Sequence, residues 1–349
     1  MDPKHLPIPY PVTTPVTTRT GATMPNNALP LSVTIDGDTV KISDPLLPTV
    51  PATTITLQRT LRIPDDGREW PLPPGLGNFP LRTVESLGDK APAGMRQRGG
   101  IVVPIYQAEA LWLSFNAPDW RPMAIKVGAG MVNAVNADPL DGQLRRGRED
   151  YLVTPPQPWL DGFKTGEGTI SQFVAMPLGS GTTVEGQLTG AETIGGLQLM
   201  VAGPKPGRFP EEPPHREVHA MRASMSLEMP AFLRMPSAAP AMGLGAGGRM
   251  TQKLYPDPHG ADTWDATRAA RIWIHLVPAP FWTALTGEPR PKTPATHEQY
   301  VAHGWPWFAV YDEPLGDMPV DPRWSAVKTV QALTDNFRTV TQKVTTTNW

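Results

Sequence analysis

The chain has 349 residues, a formal net charge of -2 and a sequence pI near 6.4, with 18% charged residues. It carries no long Lys/Arg run, so its charge balance points to neither nucleic acid nor an anionic membrane surface as a partner. The absence of cysteine excludes disulfide staples, thiolate metal sites and a cysteine nucleophile.

Pro (43) and Gly (32) make up over a fifth of the chain, a density that long helices and central strands do not tolerate. Short elements and ordered turns are therefore expected. Residues 1–30 hold seven prolines and six threonines without periodicity, which reads as an extended arm too polar to fold by itself. In "LSVTIDGDTVKIS", Val33 and Ile35, then Val40 and Ile42, alternate around Asp36-Gly37, a hairpin signal. Two isolated strands are marginal in water, so this hairpin must dock on its own subunit or on a neighbour.

"TITLQRTLRI", with Ile55, Leu57, Leu61 and Ile63 at even spacing, reads as a half-buried strand. "RTVESLGDKAPAGMRQ" offers at best one short helix. Further strands are expected at 100–103, 108–115, 124–135, 169–176 and 197–201. Thr182 and Glu185 have capping-box spacing for a single helical turn between the last two. "REVHAMRASMSLEM" alternates Met221, Ala223, Met225, Leu227 and Met229 with polar residues, which is a strand period.

"ARIWIHLV" is another strand, and Pro280 and Gly287 bracket a short helix. Thr296 and Gln299 form a capping box for a helix that Gly304 stops. Asp321-Pro322 opens what reads as one long C-terminal helix, with Val327, Val330, Leu333 and Phe337 as its packing stripe. A Thr-rich, strand-like tail follows. The organisation expected is an arm with a hairpin (1–50), a β-rich body (51–235) and a smaller β+α region (236–349).

Four groups of residues raise chemistry. Gly243, Gly245 and Gly248 spell G-x-G-x-x-G, but no strand precedes them in "RMPSAAPAM" and no amphipathic helix follows in "RMTQKLY". The dinucleotide reading fails on that context, leaving a glycine-permitted turn between strands. His215, Glu217 and His219 share one side of a strand and have donor types that suit zinc or non-haem iron, against the plainer reading of a polar strand end. Asp257, Asp262 and Asp265 could hold calcium, although turn chemistry explains the same residues. Trp273, Trp282, Trp305 and Trp307 could form an aromatic platform for a glycan or a cation, the alternative being large rings that fill a core of short elements.

"RTLRIPDDGREWPLPPGLGNFPL", "RGGIVVPIYQAEALWLSF", "QPWLDGF", "FVAMPLGSGTTVEGQLTG" and "GLGAGGRMTQKLYPDP" together resemble a family of bacterial and fungal hypothetical proteins, sometimes labelled integral membrane proteins. The resemblance spans about residues 55 to 310. It implies one shared fold for these blocks and brings no activity, cofactor or site residue with it. No stretch here approaches the roughly 18 apolar residues of a membrane-spanning helix, and the first residues lack a secretory pattern. A soluble, cytoplasmic protein is expected.

The fold class expected is mainly β (α+β): an antiparallel sandwich or barrel-like body with a few short helices, one long C-terminal helix and extended terminal arms. The leading functional expectation is a non-enzymatic, self-assembling structural protein whose arms pair with neighbouring subunits of a homo-oligomer, with no cofactor. A glycan- or ligand-binding β module that uses exposed tryptophans is the second, and a metal-dependent hydrolase at His215, Glu217 and His219 the third.

Overall fold

A computed structural model describes residues 29–145, 147–213, 241–304, 307–308 and 314–341, the backbone alone over 336–341. β1 (Ser32–Asp36) and β2 (Thr39–Ser43) pair antiparallel with Asp36 opposite Thr39, which leaves Gly37 and Asp38 as a two-residue turn. Gly37 has φ +57°, the left-handed value that the first central position of such a turn requires. β2 then pairs with β3 (Thr53–Thr60), and Val40 and Ile42 are buried, so the hairpin docks on its own subunit.

β4 (Glu69–Trp70), β5 (Gly75–Asn78) and β6 (Arg82–Thr83) are fragments of the proline-rich stretch that follows. Two short helices, α1 (Val84–Leu87) and α2 (Ala93–Arg98), stand where the sequence suggested one at most. The body continues with β7 (Ile101–Ile105), β8 (Ala110–Asn116), β9 (Met123–Ala129) and β10 (Val132–Asn133). β11 (Leu152–Thr154), β12 (Trp159–Leu160), β13 (Gly162–Gly166) and β14 (Thr169–Pro177) come next. α3 (Val184–Thr189) separates them from β15 (Leu197–Ala202), β16 (Met242–Thr251) and β17 (Ala270–Pro278). α4 (Trp282–Thr286), α5 (His297–Ala302) and α6 (Val330–Thr341) complete the described elements.

Backbone pairing arranges the strands in two layers. One runs β1–β2–β3–β8–β14–β16. The other runs β7–β17–β15–β9, with β10 and β11 also on β9. Met242 of β16 pairs with Leu276 of β17 and joins the layers at one corner. Among the described strands all the pairings are antiparallel except β16–β4 and β17–β7. Ile55, Leu57, Leu113 and Phe173 from the first layer meet Ile125, Val127, Leu199 and Ile274 from the second in one core. That core runs from Leu31 to Trp324, so all three stretches distinguished in the sequence contribute to it.

The outer faces of the central strands are covered as well, which is why β9, β14 and β15 show almost no alternation of burial. The glycine run corrects one expectation. It is the interior of strand β16, not a turn. A Cβ on Gly245 would lie 2.5 Å from Val330 Cγ2 and 2.7 Å from the Thr182 carbonyl oxygen, and one on Gly248 would lie 2.3 Å from the Pro64 carbonyl oxygen. The glycines let the covering layer approach the sheet backbone.

Two helix boundaries also differ from expectation. The cap of α3 is Thr183, which accepts from the Gly186 N–H, because Glu185 instead accepts from the Gly195 N–H. Asp321 does cap a helical turn, accepting from the Arg323 N–H, but that turn is a 3-10 segment, Pro322–Ala326. Trp324 is buried in the core and donates to the Val135 carbonyl, Val327 is extended, and α6 restarts at Val330 with 12 residues. Core anchoring of Trp324 breaks the long helix that the stripe suggested. Among the described residues no helix is long and apolar enough to cross a membrane.

Candidate functional site

His215, Glu217 and His219 lie outside the described residues, as do Trp305, the methionine-rich stretch, the Thr/Pro arm up to residue 28 and the tail from residue 342. The remaining tryptophans of the expected platform fall in three separate environments. Trp282 is fully buried beside Val84, Leu87 and Met95. Trp273 is half-buried, with the Arg98 guanidinium 5.4 Å from its ring centre. Trp307 is half-buried against Trp70 and Tyr300, each 5.5 Å away between ring centres. Among the described residues no three His, Asp or Glu side chains are placed to hold a metal. Asp257 is occupied by the Tyr151 hydroxyl, the Trp264 indole N–H and the His259 N–H.

A different pair of tryptophans meets at a cavity. Leu111, Leu113 and Phe115 of β8 point into the core, so Trp112 lies on the outer face. β12 pairs with β8 over Trp159–Ser114 and Leu160–Leu113, and β13 takes up pairing with β14 at Gly162–Gln172. Asp161 sits at the single step between those two alignments, with its carbonyl accepting from the Phe173 N–H. Two buried glutamines fix this stretch. Gln252 accepts from the Asp161 N–H and donates to the Trp159 carbonyl, 3.1 Å each, and Gln157 donates to the same carbonyl at 3.0 Å.

The facing wall is Leu72, Pro73, Pro74 and Gly75, with Phe308 bridged to Leu72 by a backbone hydrogen bond of 3.1 Å. These residues and Trp112, Trp159 and Asp161 enclose about 320 Å³, at the lower end of small-molecule sites. The lining is mostly apolar, and Phe308 is 48% exposed.

Trp112 Nε1, Trp159 Nε1 and Asp161 Oδ2 are each buried outside hydrogen-bond geometry, although the Trp159 indole is near enough to act on the Asp161 carboxyl. A buried polar atom left unpaired costs about 1–3 kcal/mol, so imperfect pairing of three around one cavity lowers stability. Burial pushes the Asp161 carboxyl up to about 7, with the Trp159 indole acting against the rise. Near neutral pH the group therefore exists in both forms, a donor when protonated and an acceptor when ionised.

These residues escaped the sequence reading because Trp112 and Trp159 belong to distant, ordinary-looking apolar runs. Trp-x-Asp at 159–161, with a carboxylate two positions from an indole inside "PWLDGF", was the one local signal. No family model matches this chain, and neither a curated protein nor a solved structure matches it.

Proposed function

We propose that the chain is a ligand-binding β module whose Trp112–Trp159–Asp161 pocket takes a small neutral ring bearing hydroxyl groups, a sugar or related polyol. The observation that carries this reading is the set of three buried polar atoms around one apolar cavity, none of them in hydrogen-bond geometry. A hydroxyl can accept from an indole N–H and donate to a carboxylate at once, and the C–H faces of a sugar ring suit walls of indole, proline and phenyl. A cation would satisfy Asp161 and the ring faces but leave both indole N–H groups unpaired. All three atoms are shielded from solvent, so a ligand engages them only if the indoles move.

Titration of tryptophan fluorescence with a panel of mono- and disaccharides, and with choline as the cation, tests the reading. A saturable response to a sugar, weakened at least tenfold in Trp112→Phe and Trp159→Phe, is expected. Silence across all the sugars, or a response to choline alone, overturns it.

A second reading rests on the edge of β1, which pairs with β2 alone among the described strands. In a two-residue hairpin Val33 and Ile35 direct their backbone N–H and C=O groups to the open side. We infer that this edge accepts a strand from a neighbouring copy, supplied by the Thr/Pro segment of residues 1–30. Light scattering on the full chain and on a variant lacking residues 1–28 tests this: an oligomer that the deletion disperses is expected, and identical monomers overturn it.

A further inference from the structure

We propose that a second cavity on the outer face of the β3–β8 layer binds the carboxylate of a small organic acid between Arg62 and His297. This site is independent of the sugar reading. The cavity encloses about 200 Å³, and Thr60, Arg62, Glu109, Thr296 and His297 supply its polar lining. It adjoins the first cavity through Thr60, whose hydroxyl donates to the carbonyl of Pro74 in the wall of the first.

The donors in this cavity are not all engaged. Glu109 is committed to Arg59, 2.6 Å away, and to the Tyr106 N–H at 2.8 Å. Arg62, just beyond β3, is half-buried and forms neither a hydrogen bond nor an ion pair with a described residue. Desolvation holds its guanidinium below the ordinary arginine value, and the Asp65 charge only partly opposes this. His297 Nε2 is buried without a partner, the ring being fixed edge-on against Trp70 at 5.1 Å between centres. One guanidinium and one imidazole nitrogen thus remain uncommitted in one cavity.

Partly buried charges are ordinarily paired, and the planar donor fork of arginine matches the two oxygens of a carboxylate. His297 Nε2, in the tautomer that carries its proton there, supplies a further donor. Glu109 in the same wall selects for low charge: it repels a phosphate dianion more than a carboxylate monoanion. The cavity is therefore assigned to a carboxylate.

The test uses the full chain, with acetate and inorganic phosphate as probes at constant ionic strength. It follows the His297 imidazole by NMR and total binding by calorimetry. Expected is a saturable His297 shift with acetate, binding weakened at least tenfold in Arg62→Gln, a smaller loss in Arg62→Lys, and no change in Arg208→Gln at an exposed site. Thermal melting of each variant confirms that it folds. A His297 resonance that ignores acetate, equal acetate binding by folded Arg62→Gln, or tighter binding of phosphate than of acetate overturns the proposal.

Discussion

Lys126 Nζ lies 2.7 Å from Asp150 Oδ2, and solvent reaches neither side chain. The ammonium also donates to Asp141 at 2.8 Å and to the Gln143 carbonyl at 2.7 Å, so its three protons are used. This cluster sits on the outer face of β9, beneath the loop that carries Asp141 and Arg145. Replacing Lys126 by Met leaves Asp150 with Arg145 as its counter-charge among the described residues. The expected loss is about 3 kcal/mol in urea unfolding, and adding Asp150→Leu should restore much of it.

Asp161 predicts a pH dependence with a definite sign. Its ordinary value is 3.8 and its folded value about 7, so between those limits the folded chain keeps a proton that the unfolded chain has lost. Stability should fall as pH rises through that window, by roughly 1.4 kcal/mol per pH unit at most, and level off above it. Asp161→Asn removes the dependence. The variant should melt higher than the parent at pH 8 and nearly with it at pH 4, by calorimetry at both values. Equal melting temperatures at pH 8 would contradict the assigned cause.

The glycines of β16 should rank by what a methyl group would meet. On Gly243 it faces the Thr183 Cγ2 at 2.8 Å, the end of a side chain, whereas on Gly248 it faces the Pro64 carbonyl at 2.3 Å. Gly248→Ala should cost more than about 3 kcal/mol and Gly243→Ala about 1 kcal/mol, as read by thermal melting. Gly245→Ala, against Val330 and the Thr182 carbonyl, should fall between them.

Asp317 ties the segment before α6 to the sheet. It accepts from Lys164, which is fully buried, from the Gly168 N–H at 2.6 Å and from the Leu254 N–H at 2.9 Å. Burial holds the Lys164 ammonium below its ordinary value while Asp317 opposes that. Asp317→Ala should lower stability by about 3–5 kcal/mol, since it strands a buried charge and two backbone donors. Chemical denaturation at neutral pH checks this.

What the sequence settled by itself is what a few neighbouring residues decide among themselves. Gly37 turns the hairpin, and Thr296 and Gln299 close their capping box as spaced, with both reciprocal hydrogen bonds present. The apolar runs that became β7, β8, β14 and β15 were legible to within two residues or so, because burial of a continuous apolar stretch needs no knowledge of its partner. The mainly antiparallel β class followed from those strands.

Tertiary structure alone decided the rest. The glycine run is a strand because it pairs with β14 along its length and its glycines admit Val330 and Pro64 close to its backbone, and the C-terminal helix breaks because Trp324 enters the core. Trp112 and Asp161 meet across 49 positions, and Arg62 and His297 across 235. Desolvation and unmet hydrogen bonds arise only when distant segments close over a polar atom. Spacing along the chain does not encode them, whereas turns and caps need only their own few residues.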